Sequence, residues 1–241
     1  MSFRHFFLPL RRIKTLEAMN STVISIIILV ICAYLLGSIP SAVWIGKHYY
    51  GIDVREHGSK NAGTTNTLRV LGKRAAIPVF IIDFLKGFLA VALAILLAYD
   101  PEIQPNFIIN VKIGLVFAAV LGHIFPIFAD FRGGKGVATM AGAVVGIYPP
   151  AILLCLIVWF FSLMITHYVS FSSMLAGVMY PIFIMISPRT NGSISLIIFS
   201  MVVAILLIYT HRKNIKRLMA GEESKIYIFP PKDTTKKTKK E

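Results

Sequence analysis

The chain has 241 residues, of which 56% are hydrophobic and only 15% charged, yet its 25 Lys and Arg against 11 Asp and Glu leave a net charge of +14. Soluble domains are roughly 45 to 50% apolar and about 25% charged, so a soluble domain is excluded. The excess positive charge has to be explained by membrane sidedness, by an anionic ligand, or by both.

The first residues, 1–21, stand apart as an extension: Arg4, Arg11, Arg12 and Lys14 precede the first apolar block, and no small-residue cleavage site follows it. Two readings are open for this extension, synthesis beginning at Met19 or an interfacial basic arm. Helix-length apolar blocks then run from Val23 to Ile45, Ala75 to Ala98, Phe107 to Phe128, Val169 to Ser187 and Ser193 to Tyr209. Each is near the roughly 20 residues that a bilayer requires. Val137 to Thr166 is too long for one ordinary span and carries Pro149-Pro150, where a helix would lose hydrogen bonds. It is expected to hold two spans, the first short.

Sidedness follows from charge. Lys47, Arg55, Lys60, Arg69, Lys73 and Arg74 follow the first span, and ten Lys and Arg follow the last. Positive-inside behaviour places both groups in the cytoplasm, which requires an even number of spans between them. The expected fold is thus an all-α integral membrane protein with seven transmembrane helices, its N-terminus outside and its C-terminus cytoplasmic. Residues 22–225 form the helical domain and 226–241 a basic tail without a fold of its own. Cys32 and Cys155 lie in apolar stretches and imply neither a disulfide nor a metal site.

Three polar segments fall on the cytoplasmic side of this topology. The first, Gly46 to Arg74, is rich in glycine and contains Gly58-Ser59-Lys60-Asn61-Ala62-Gly63-Thr64-Thr65-Asn66. Glycines let backbone N–H groups line an anion site, and Ser59, Asn61, Thr64, Thr65 and Asn66 supply neutral hydrogen-bonding groups beside Arg55, Lys60 and Arg69. The second, Gly122 to Thr139, carries Gly133-Gly134-Lys135-Gly136 directly before the short span, where exposed N–H groups and the helix dipole favour phosphate. It is not a Walker A loop, since Gly136 stands where Ser or Thr is required. In the third, His211 to Lys225, His211 and Asn214 share a helical face where the last span ends. Within the second span, Asp83 and Lys86 are three apart and read as a structural ion pair or a tether to the first loop.

No activated nucleophile is apparent: there is no Gly-x-Ser-x-Gly elbow, no His-Glu-x-x-His pair and no carboxylate cluster. The chemistry is expected to use a substrate that arrives activated. A transporter would place its charges near the midplane and often show two similar halves, neither of which is present. A non-catalytic lipid-binding scaffold is favoured only by the basic tail.

The three segments resemble, in order, the GSxPS…GxDxRxxGSGNxGATNxxR, GHxFPxxxxFxGGKGVAT and HRxNIxRLxxGxE patterns of the bacterial acyl-phosphate-dependent glycerol-3-phosphate acyltransferases. The resemblance covers about Met19 to Lys225. It implies an enzyme moving a fatty acyl group from acyl-phosphate to the sn-1 hydroxyl of glycerol 3-phosphate. Carried over by motif position, Ser59 and Arg69 would bind substrate phosphate, with Asn61, Thr65 and Asn66 as further substrate-binding residues and Asn61 and Asn66 also shaping the loop. Lys135 with Gly133, Gly134 and Gly136 would hold phosphate and stabilise the leaving group. His211 and Asn214 would position the acceptor hydroxyl or polarise the acyl carbonyl, and Glu223 would brace them. Lys60 stands where the family usually has Gly, and Thr64 where it commonly has Ala. The resemblance implies no metal or organic cofactor, and no nucleic acid is expected as a partner. Membrane lipids are expected partners, and a soluble enzyme producing acyl-phosphate is a candidate one.

Overall fold

The computed structural model describes residues 4–98, 104–190 and 193–227, with the backbone alone for residues 4–18 and 189. Regular structure among the described residues is helical. The first helices are α1 (Arg4–Gly37), α2 (Ser41–Tyr50), α3 (Thr64–Leu71), α4 (Lys73–Ala92), α5 (Ile95–Ala98) and α6 (Pro105–Ile124). They are followed by α7 (Val137–Val145), α8 (Pro149–Thr166), α9 (Val169–Ile186), α10 (Ile194–Thr210) and α11 (Arg212–Met219). The chain divides into two compact units, Met1–Pro149 and Pro150–Glu241. The tail from residue 228 lies outside the described residues.

Among the described residues, five segments are long and apolar enough to cross a membrane: Met19–Tyr50, Lys73–Ala98, Pro105–Ala129, Pro149–Thr166 and Val169–Ile186. Helix α10, bent by 58° against α11, makes a sixth when the pair is taken together. The short fourth span expected from the sequence is α7, whose nine residues rise only about 14 Å. That is shorter than the roughly 30 Å hydrocarbon core. Apolar side chains such as Ile24, Ile27, Ile28 and Ile31 of α1 and Leu153, Ile157 and Phe161 of α8 face outward. Such surfaces suit lipid rather than water.

The first apolar block is not one helix. It breaks at Ser38–Pro40, because Pro40 has no N–H and pushes Ile39 out of helical geometry. The carbonyl of Ile39 freed by that break accepts a hydrogen bond from Lys86 Nζ at 2.9 Å. The hydroxyl of Ser41, just past the corner, donates to Asp83 Oδ1 at 2.7 Å.

Within the first unit, α1, α4 and α6 share a core of small and branched residues, among them Leu29, Ala33, Ala90, Ala94, Leu115 and Ala119. Glycines bring the helices into backbone contact. A Cβ on Gly37 would overlap Ala119, and one on Gly122 the carbonyl of Tyr34, which joins α1 to α6. A Cβ on Gly87 would overlap the carbonyl of Thr139, and one on Gly142 that of Phe84, which joins α4 to α7. Small residues at such crossings are how helices pack closely in lipid, where no hydrophobic force separates helix from solvent. In the second unit α9 packs on α10, with Tyr180 edge-on to Phe199 at 6.2 Å. Trp159 of α8 donates its indole N–H to Ser173 of α9 at 3.2 Å.

Candidate functional site

In the first unit the two glycine-rich loops are tied to one another. Arg55 is buried and grips Asp53 through Nε (3.0 and 3.2 Å) and a terminal nitrogen (2.8 Å), while its other terminal nitrogen donates to the carbonyl of Ala129 at 2.8 Å. Hydrogen bonds from Arg55 hold the Asp53 carboxyl well below the usual carboxylate range, against the opposing effect of burial. Arg55 therefore works as a clamp between the loops. The sequence places Arg55 among the basic groups beside an anion site, and the structure instead turns it to Asp53 and the Ala129 carbonyl.

The turn carrying Ser59 is closed from inside by Asn66. This side chain is buried; its Oδ1 accepts the Ser59 N–H at 2.8 Å, and its Nδ2 donates to the carbonyls of Val54 (2.8 Å) and His57 (3.1 Å). The expectation that Asn66 binds substrate is corrected here, since both ends of its amide are engaged inside the loop, which it braces. Ser59, Asn61 and Thr65 are half-buried around it, and Arg69 is exposed one helical turn beyond Thr65. The two departures from the family pattern are both locally awkward. Lys60 has φ +58°, a left-handed conformation that glycine adopts without strain. Thr64 buries a hydroxyl that has no hydrogen-bond partner.

The second loop folds back on the end of α6. The N–H of Gly133 donates to the carbonyl of Ile124 and that of Gly134 to the carbonyl of His123, both at 3.1 Å. The carbonyl of Gly133 in turn accepts the Ala62 N–H at 3.4 Å, bringing the two loops together. The expectation that these two glycine N–H groups face an anion is corrected here, since both are engaged inside the protein. Their role is close approach: a Cβ on Gly133 would overlap the His123 carbonyl, and one on Gly134 the His123 ring. Gly136 begins α7 with φ +80°. Lys135 is half-buried two residues before the start of α7.

Beneath the loops lies a buried polar cluster. Asp83 Oδ1 receives Ser41 and lies 2.9 Å from Lys86 Nζ and 3.5 Å from His123 Nδ1. All four side chains are less than 6% exposed. The expected Asp83–Lys86 ion pair is present, but the tether runs to Ile39 and Ser41 at the break between α1 and α2 and not to the first loop.

In the second unit, His211 and Asn214 are buried at the junction of α10 and α11. His211 Nδ1 lies 2.8 Å from the carbonyl of Leu207, which can only accept, so Nδ1 is the donor in that pair. Asn214 donates to Glu223 Oε1 at 2.7 Å. Ser170 of α9 donates to the same oxygen at 2.9 Å, and Arg217 Nε to Oε2 at 2.7 Å. Burial alone would raise the Glu223 carboxyl, but these donors more than offset it and leave it below its ordinary value. Motif reading passed over Ser170. The cue lay in the run Thr166 to Ser173, whose hydroxyls interrupt an otherwise apolar stretch.

Fold and polar groups together define a multi-span helical membrane protein whose basic, glycine-rich loops are internally braced. A family model described as glycerol-3-phosphate acyltransferase matches residues 27–221, and the chain belongs to that family. It is 49% identical over 199 residues to glycerol-3-phosphate acyltransferase 2 of Bacillus cereus, covering 82% of this chain and 93% of the relative. To the glycerol-3-phosphate acyltransferase of Staphylococcus carnosus it is 43% identical over 202 residues, covering 83% and 98%. The fold is similar to the crystal structure of PlsY (YgiH), an integral membrane glycerol 3-phosphate acyltransferase, in its glycerol 3-phosphate form. The TM-score is 0.75 at 38% identity, covering 84% of this chain and 96% of that one. The lysophosphatidic acid form of the same protein gives 0.71 at 36% identity, with the same coverage.

Proposed function

We propose that the chain transfers a fatty acyl group from acyl-phosphate to the sn-1 hydroxyl of glycerol 3-phosphate, giving lysophosphatidic acid and inorganic phosphate. The supporting observation is the joining of two glycine-rich, basic loops in the first unit by Arg55 and by the Ala62–Gly133 hydrogen bond. A reaction with one phosphate on each substrate calls for two such elements. In this reading Ser59 and Arg69 hold one phosphate, and Lys135 with the start of α7 holds the other. Gly133, Gly134 and Gly136 shape the second loop; Asn61, Thr65 and Asn66 shape the first.

Acyl-phosphate is a mixed anhydride, so no covalent enzyme intermediate is required. The glycerol oxygen attacks the acyl carbonyl, the bond from acyl carbon to phosphate oxygen breaks, and phosphate leaves with its charge stabilised by Lys135. The hydroxyl proton passes to a phosphate oxygen of glycerol 3-phosphate itself. By motif position, His211 and Asn214 are the second unit's candidates for orienting the acceptor hydroxyl, with Glu223 and Ser170 fixing Asn214. The protein sits in the bacterial cell membrane as seven membrane segments, α7 being the short one. Its N-terminus is outside, and its loops and C-terminus face the cytoplasm.

The test is a donor comparison on the purified chain in detergent, with glycerol 3-phosphate and either acyl-phosphate or acyl-CoA. Lysophosphatidic acid acylated at sn-1 is expected with acyl-phosphate and not with acyl-CoA. Turnover with acyl-CoA alone, or with neither donor, overturns the proposal.

A further inference from the structure

We propose that His123, set by Asp83, is a positioning residue that holds the Gly133–Lys135 loop in the geometry needed to grip phosphate. The inference rests on the acyltransferase reading above and adds to it a group that the reaction scheme does not use. His123 lies in the last turn of α6 and is 5% exposed. Three contacts fix it. Its Nδ1 faces Asp83 Oδ1 at 3.5 Å, its carbonyl accepts the Gly134 N–H at 3.1 Å, and its Nε2 edge occupies the space that a Gly134 Cβ would fill. The residue after Gly134 is Lys135.

Asp83 is itself held on two sides. Ser41 donates to it, and Lys86 pairs with it while also bonding the Ile39 carbonyl at the break between α1 and α2. A line of buried polar contacts therefore runs from that break through α4 to the end of α6, and from there onto the backbone next to Lys135. A buried group of this kind is poor value as a source of stability alone, because well-packed apolar residues of the same volume often stabilise as much or more. What such a group supplies is one defined arrangement among many. His123 Nδ1 makes no hydrogen bond among the described residues, so it is the adjacent Asp83 carboxylate and close packing against Gly134 that hold the ring, and the ring edge fixes how closely Gly134 approaches. Because Nε2 is turned to the Gly134 backbone, His123 acts through the loop and not on the reacting atoms.

The full chain in lipid nanodiscs tests this with two substitutions. His123→Leu keeps similar bulk and removes both nitrogens; His123→Asn places an amide nitrogen near the Nδ1 position. A misplacement on the order of 1 Å can cost about a hundredfold in rate, so the leucine variant is expected to raise KM for acyl-phosphate by about tenfold or more. Inhibition by inorganic phosphate should weaken in parallel, with little change in Tm. The asparagine variant should stay within about threefold of wild type. If the leucine variant does not fold, His123→Gln, whose amide reaches the Nε2 position instead, is expected to show the same rise in KM. Unchanged KM and phosphate inhibition in the leucine or glutamine variant, with only a lower Tm, overturns the inference while leaving the acyltransferase reading intact. Equal effects of leucine and asparagine also overturn it. A wild-type protein inactive with both substrates overturns the acyltransferase reading, and this inference with it.

Discussion

Replacing Glu223 by Gln removes one charge from the most connected group of the third motif. The carboxylate accepts from Asn214, Ser170 and Arg217 at 2.7, 2.9 and 2.7 Å. An amide can still accept from Asn214 and Ser170 through its oxygen, but each bond falls from charge-assisted strength, roughly 2 kcal/mol, to roughly 1 kcal/mol. Its NH2 group then faces the Arg217 N–H, donor against donor. Because the Arg217 side chain is 32% exposed, water screens that loss, which is counted at no more than about 1 kcal/mol. The sum is about 2 to 3 kcal/mol, which for a chain of this size lowers Tm by roughly 5 to 10 °C. If Asn214 orients the acceptor hydroxyl, kcat should also drop, by about tenfold or more, with a smaller effect on KM for acyl-phosphate. Thermal unfolding in detergent and steady-state turnover check both effects. A Glu223→Gln protein with wild-type Tm and kcat would refute the bracing argument.

Three further outcomes are expected. Lys60→Gly relieves a left-handed backbone and Thr64→Ala removes an unpartnered buried hydroxyl; each should stabilise by about 0.5 to 1 kcal/mol, and together they should raise Tm. A lower Tm in the double variant would contradict the strain assigned to them. Glu223 is depressed in the folded state, so its contribution is present above its ordinary value of 4.5 and is lost as pH falls through the lower folded value. Acid unfolding of the wild type should therefore be steeper than that of Glu223→Gln in the window below about pH 4.5, and parallel acid limbs would argue against it. If, as proposed, the substrate phosphate takes the proton, His211→Gln should keep turnover within about tenfold of wild type while His211→Ala loses about a hundredfold or more. Equal losses in the two would assign His211 the role of base instead.

The sequence made some of this legible and concealed the rest for definite reasons. Apolar blocks of bilayer length announce most of the helices, because lipid imposes a length and a composition together. Ser38–Pro40 was read through as part of one span, since a single proline in an apolar run does not reveal that a lysine 46 residues on from Pro40 will satisfy the carbonyl beside it. The loops stood out because connections need neither glycine nor packed hydroxyls. Their internal wiring did not: Gly133 and Gly134 pair with residues before the turn, and Arg55 reaches Ala129 across 74 positions. Spacing placed Asp83 beside Lys86, one helical turn apart, but it had no means of adding His123 from another helix. Ser170 was hidden among other hydroxyls, and only its contact with Glu223 separates it from them.

The glycine contacts between α4 and α7 also bear on how this protein sits in membranes of different thickness. A helix that is too long for its bilayer responds by tilting, and α4 belongs to one of the crossing segments. Because Gly87 and Gly142 lock α7 to α4 backbone against backbone, α7 is carried along when α4 tilts, without sliding against it. The loop that ends in Gly136 travels with it as one body. Lipid composition can then change the orientation of the turn before α7 relative to the membrane plane while leaving its internal geometry alone.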